Sequence, residues 1–209
     1  MITIITQNRL ILTLTIIILL TASFTVTAVE EPCWENLKKE SLEVLKDKPK
    51  DIRANYDYII ALVNMGEIKQ AYNTIDKFGE EFNINKFEKQ ISPYFKELVK
   101  VPNDILILNY TAFYGVVTKE YDISIRYFKR ILELTPDNYN IRNFLAASYV
   151  ELENYDLAFK ETKRALNTKD NEFSHLLIGV IYYEQGNVFK AVSEFAKSGS
   201  LGREILNNN

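Results

Sequence analysis

The 209-residue chain is poorest in the residues that carry out chemistry. It holds one cysteine, so no internal disulfide can form, and Cys33 stands either free or paired with another chain. With one Cys and one His there is no transition-metal cluster of the common types. Seven scattered glycines form no phosphate-cradling loop. His175 is the lone histidine, near the start of a helix, and reads as a packing or surface residue rather than a general base. The acidic pairs Glu30-Glu31, Glu80-Glu81 and Glu151/Glu153 fall at helix ends and termini, where they are solvated charge. Nothing here points to an enzyme, a cofactor or a bound metal.

A basic footprint is missing as well. With 25 basic against 28 acidic side chains the formal charge is −3, and the surface has no electrostatic reason to bind DNA, RNA or anionic lipid.

A long apolar run occurs once, at the N-terminus. Arg9 precedes the stretch from Leu10 to Phe24, and Val26-Thr27-Ala28 offers small residues just before Glu30 and Glu31. This order predicts a secretory signal peptide over residues 1–28, with Val29 first after cleavage and the protein exported to a periplasmic, extracellular or envelope site. The competing reading is an uncleaved anchor, since Leu10 to Ala28 approaches the ~20 residues that span a bilayer as a helix. A membrane is a partner only in that case. The residues before Cys33, Glu30-Glu31-Pro32, are not those of a lipidation site.

What the remainder has is a period. Sliding the chain by 34 residues lays Asn109-Tyr110-Thr111-Ala112 on Asn143-Phe144-Leu145-Ala146, and Tyr121-Asp122-Ile123-Ser124 on Tyr155-Asp156-Leu157-Ala158. Such a period marks stacked helical pairs. Four pairs are predicted, with first helices near 52–65, 104–118, 139–152 and 173–185 and second helices near 69–78, 122–134, 156–166 and 188–198. Gly66 and Gly186 stand where a first helix ends and a left-handed residue is cheapest. Asp122 and Asp156 open second helices as capping acids. Ala71 and Ser124 occupy equivalent places yet lie 53 residues apart. The surplus contains Ser92-Pro93 and an amphipathic stretch through Val99, which predicts one inserted helix wedged between the first two repeats. Residues 34–46 predict a helix that caps the first pair, and 207–209 a polar, disordered tail beyond a repeat domain of 29–206.

Leu177, Gly179, Tyr182, Gly186, Ala191 and Phe195 fall at the spacings of a known signature, echoed by Leu145, Ala146, Tyr149, Tyr155, Ala158 and Ala165 and by Ala112, Tyr121, Ser124, Phe128 and Pro136. The chain resembles the tetratricopeptide repeat family over roughly residues 52–206. The resemblance implies an all-α, right-handed α-solenoid of about four antiparallel helix pairs, with the small residues at close helix crossings. It departs from the pattern at Ile59, where a small residue is expected.

In that family the inward faces of the first helices line a concave groove. Here these positions are Tyr56, Ile60 and Val63; Asn109, Phe113 and Val116; Asn143, Ala147 and Val150; and Leu176, Val180 and Tyr183. The Lys and Arg with which some members grip a C-terminal carboxylate are missing. The expectation is therefore an apolar groove for a peptide or protein segment whose backbone pairs with Asn109 and Asn143. The alternatives are that this face is covered by the inserted helix or the termini, and that the chain is a structural subunit of an envelope complex, or a signal-anchored protein, docked through its convex face.

Overall fold

Twelve helices and no strand run through the described residues of the computed structural model, which are 31–79 and 83–207. The expected signal segment lies outside them. A capping helix α1 (Trp34–Asp47) leads to the first pair, α2 (Ile52–Met65) and α3 (Ile68–Gly79). The insert follows as two short helices, α4 (Ile84–Ile91) and α5 (Pro93–Leu98). Three further pairs are α6 (Ile105–Thr118) with α7 (Tyr121–Leu134), α8 (Tyr139–Glu151) with α9 (Tyr155–Thr168), and α10 (Glu172–Glu184) with α11 (Val188–Lys197). A final helix, α12 (Gly199–Asn207), packs on α10 and α11. No member of this last helix was expected beyond Ser198. Asn207 closes it, and 208–209 lie outside the described residues.

The two helices of each pair differ in sequence for a physical reason. α6 is apolar nearly all round and buries Ile105, Leu108, Tyr110, Ala112 and Phe113, whereas α7 buries one stripe, Ser124, Phe128, Ile131 and Leu132. Inner helices are sandwiched and outer ones face water on one side.

Each inner helix is capped by a side chain. Asp51, Asp104, Asn138 and Asn171 accept from the amides of Ala54, Ile107, Ile141 and Ser174 at 2.8–3.0 Å. Asp122 and Asp156 are not caps: they sit one residue inside α7 and α9, behind Glu120 and Asn154, and act only on the helix dipole. The outer helices α7, α9 and α11 have no side-chain cap.

Small residues stand at the crossings. Ala112, Ala146, Ser124 and Ala158 are fully buried, and a Cβ on Gly179 would fall 2.4 Å from the Phe195 ring. Gly66 and Gly186 end inner helices at φ 80° and 73°. Ile59, the departure from the pattern, is half-buried.

The insert fills the seam between α2 and α6. Phe87 and Ile91 of α4 are buried to 1% and 0% exposure. The Phe87 ring meets Tyr56 edge-on at 5.0 Å and stacks on Tyr114 at 5.8 Å, while Phe95 of α5 meets Tyr114 at 4.6 Å. Ser92 does not cap α5 by its side chain, because α4 runs into α5 with Ser92 still helical at φ −55° and ψ −28°.

Candidate functional site

The inner helices decide what a partner could touch. Of the twelve positions expected to line a groove, Tyr56, Ile60, Val63, Asn109, Phe113, Asn143 and Leu176 are buried at 5% exposure or less. Val116, Ala147, Val150 and Val180 are half-buried, and Tyr183 alone is open, at 60%. The buried seven are interior residues in the folded chain, for two reasons.

The first is the insert. Tyr56 lies under Phe87 and donates through its hydroxyl to the Tyr110 carbonyl at 2.7 Å. Beside it Arg53 Nε donates to both Asp57 oxygens at 2.7 and 2.9 Å, and Arg53 Nη2 to the Tyr110 hydroxyl at 2.8 Å. The guanidinium also lies over the Tyr94 and Tyr110 rings, 4.4 and 4.8 Å from their centroids. Burial foremost pushes the Asp57 carboxyl above its ordinary value, with the Tyr110 hydroxyl and Arg53 pulling it back. Burial and the Asp57 charge likewise raise Tyr110. This cluster ties α2, α5 and α6 together.

The second reason is that the asparagines have partners of their own. Asn109 accepts from Asn64 Nδ2 at 2.9 Å and donates to the Ile105 carbonyl at 2.8 Å, joining α6 to α2. Asn143 donates to Asn171 Oδ1 at 3.1 Å and accepts from the Ser174 hydroxyl at 2.8 Å, joining α8 to the cap of α10. Their expected pairing with a peptide backbone gives way to clamps between neighbouring inner helices, since most buried polar groups find a hydrogen-bond partner within the fold.

What is open lies at the ends of these helices. α2 packs against α8 as well as α6, and Asn140 donates to the Asn64 carbonyl at 3.2 Å. That approach closes a cleft of about 490 Å³ between the start of α3 and the starts of α8 and α10. Gln70 and Asn73 form one wall, and Tyr139, Lys169, Asn171 and Phe173 contribute the other. Lys169 Nζ donates to the Tyr139 hydroxyl at 3.1 Å and sits over its ring at 5.1 Å. Lys69, Glu67 and Glu172 add charge to its rim, and the amides, lysines and two rings can hold a chain segment by backbone hydrogen bonds and stacking. The sequence did not single out these residues, because they meet only through the approach of α2 to α8.

His175 bridges two carboxylates, Nδ1 to Glu194 at 2.6 Å and Nε2 to Asp170 at 2.8 Å. It ties α10 to α11. Among the described residues no group of three His, Cys, Asp or Glu could hold a metal ion, and no helix is long and apolar enough to cross a membrane. Cys33 is exposed at the start of α1.

No protein-family model and no curated protein matches the sequence. Among solved structures the chain is similar to a point mutant of MamA, with 18% identity over 73% of this chain and 92% of that one at a TM-score of 0.50. It is also similar to MamA AMB-1, at 20% identity, 72% and 99% coverage and a TM-score of 0.49. A third is MamA from Desulfovibrio magneticus RS-1, at 16% identity, 82% and 94% coverage and a TM-score of 0.48. The likeness is one of fold. With the helix order above, the chain is an all-helical solenoid of the tetratricopeptide type.

Proposed function

We propose that the protein is a non-catalytic interaction module that works outside the cytosol and holds a segment of a partner protein in the cleft between α3, α8 and α10. The observation that carries this reading is the cleft itself: an open space of about 490 Å³ walled by side-chain amides, aromatic rings, two lysines and two glutamates. An extended segment has unpaired backbone donors and acceptors, and the side-chain amides of Gln70 and Asn73 offer both. Export rests on the apolar run and the Val26-Thr27-Ala28 site.

The test is crosslinking in the native host followed by capture of the chain and of two variants. Asn73→Arg and Lys169→Glu alter the walls without entering the core, so helical circular dichroism stays as in the parent. Loss of the same crosslinked protein from both supports the cleft. Retention by both sinks it. Mass spectrometry of the same material reads the N-terminus, and Val29 in first place supports export with cleavage.

A further inference from the structure

The array ends on an apolar surface that its own repeats explain. Val188, Phe189 and Val192 of α11 are 54%, 93% and 61% exposed, beside Tyr183 of α10 at 60%. In register, Val188 stands where Tyr121 and Tyr155 stand in the two preceding repeats, Val192 where Ile125 and Phe159 stand, and Tyr183 where Val116 and Val150 stand. Those six are all half-buried. At both inner seams the next inner helix lies on them: Phe159 meets the Tyr182 ring at 5.8 Å, and the Tyr121 hydroxyl donates to Glu151 at 2.9 Å. At the last repeat α12 also packs on α10 and α11, with Leu201 buried, yet leaves the four residues open.

We propose that this end of the array docks an amphipathic α-helix of a partner protein, laid on α10 and α11 as a further inner helix would lie. The interface is a continuation of the one already formed twice within the chain, and it specifies the chemistry of its occupant. The tyrosine that reaches an acid of the incoming helix at the first seam is replaced by Val188, so the partner helix needs no carboxylate there. Its buried stripe is aliphatic and aromatic, with anchors at i, i+3 or i+4, and i+7. Phe189 replaces Asp122 and Asp156, which stay exposed even where a helix follows. The partner therefore reaches past the edge of its docked helix to cover that ring. The site is separate from the cleft, so either can fail without the other.

The probe is a labelled synthetic peptide of residues 172–184, the inner helix that this chain itself lays on an outer helix. Titrated with the full-length protein, its fluorescence anisotropy should rise to saturation. Val192→Asp and Phe189→Asp should each weaken binding about tenfold or more. Leu42→Asp, at the opposite end, should leave it unchanged, and circular dichroism should confirm that all three variants fold. Absence of saturable binding, or binding indifferent to both α11 variants, overturns the proposal. So does a self-associated chain that Val192→Asp converts to monomers in sedimentation, because the occupant is then a second copy.

Discussion

Between α7 and α8, and again between α9 and α10, one outer helix receives the next inner helix directly, ring against ring, with small residues letting the backbones close. Between α2 and α6 the chain instead interposes α4 and α5, and fills the seam with Phe87, Tyr94 and Phe95 around an Arg53–Asp57–Tyr110 cluster. The regular seams can be continued by any helix of the right stripe, and at α11 the surface for doing so is still open. The filled seam cannot, because its apolar positions are already occupied. The first half is thus a closed, chain-specific core and the second an open-ended array.

The largest expected effect breaks the first half alone. Phe87→Ala removes a buried ring that contacts Tyr56 and Tyr114, and large-to-small core changes of this kind cost ~3–5 kcal/mol. In a stacked array stability is carried by each unit and its neighbours. Hydrogen exchange should therefore quicken in α2, α4 and α6 and far less in α8 to α11. Equal quickening throughout would show that the filled seam supports the whole array.

A second pair of changes compares the asparagine clamps. Asn143→Ala leaves the buried Ser174 hydroxyl without its acceptor, while Asn171 keeps its bonds to the Ser174 amide and hydroxyl and to the Lys169 carbonyl. The substitution should cost ~1–3 kcal/mol in urea denaturation, the usual penalty of a buried group left unpaired. Asn109→Ala should cost less, because Asn64 Nδ2 keeps its bond to the Ile60 carbonyl at 2.9 Å. An equal or reversed order would mean that the two clamps are not the local devices their hydrogen bonds describe.

Those asparagines also show where sequence reading stops. The period, the small residues and the turn glycines are local in register, and they place every helix pair to within a residue or two. The facing of an inner helix is not local. Asn109 and Phe113 fit a groove by spacing, yet whether they meet solvent depends on where the neighbouring inner helix lies. α4 was missed for a related reason. Asn83, which caps it at 3.0 Å to the Lys86 amide, with Ile84, Phe87 and Ile91 on one stripe, is an ordinary helix start, but no counterpart 34 residues away sets its frame. Nothing in the spacing reports that α2 touches α8, and the cleft exists only because it does.

Acid titration separates the halves more gently. Burial opposes ionisation of Glu194, but hydrogen bonds from Lys197 and His175 prevail and hold its carboxyl below the ordinary 4.5. Its contribution is present above that value and is lost as the pH falls through its lowered one. Asp57, raised above 3.8 by burial, has the opposite sign: the folded chain takes up its proton first, so acidification through the raised value favours folding. Glu194→Gln should flatten the acid loss of melting temperature, and Asp57→Asn should steepen it. Identical acid limbs in the two variants would contradict the assignment.

The smallest effect lies in the four turns that end the inner helices of the pairs. Equivalent positions are held by Gly66, Lys119, Glu153 and Gly186, and all four have positive φ, 80°, 61°, 58° and 73°. An L-residue pays ~1–2 kcal/mol for that conformation, while glycine loses more chain entropy on folding. Lys119→Gly and Glu153→Gly should therefore stabilise by a net ~0.5–1 kcal/mol each. The reverse substitutions distinguish the two ends of the chain. At Gly186 an added Cβ meets nothing within 4 Å, so Gly186→Ala should cost only the backbone strain. At Gly66 it would stand 3.2 Å from both the Tyr139 hydroxyl and the Asn140 amide. Gly66→Ala should cost more than Gly186→Ala, and the excess should vanish when Tyr139 is changed to Phe and Asn140 to Ala. If the two glycines prove equally sensitive, the close approach of the first turn to α8, and with it the closed wall of the cleft, is not the arrangement in solution.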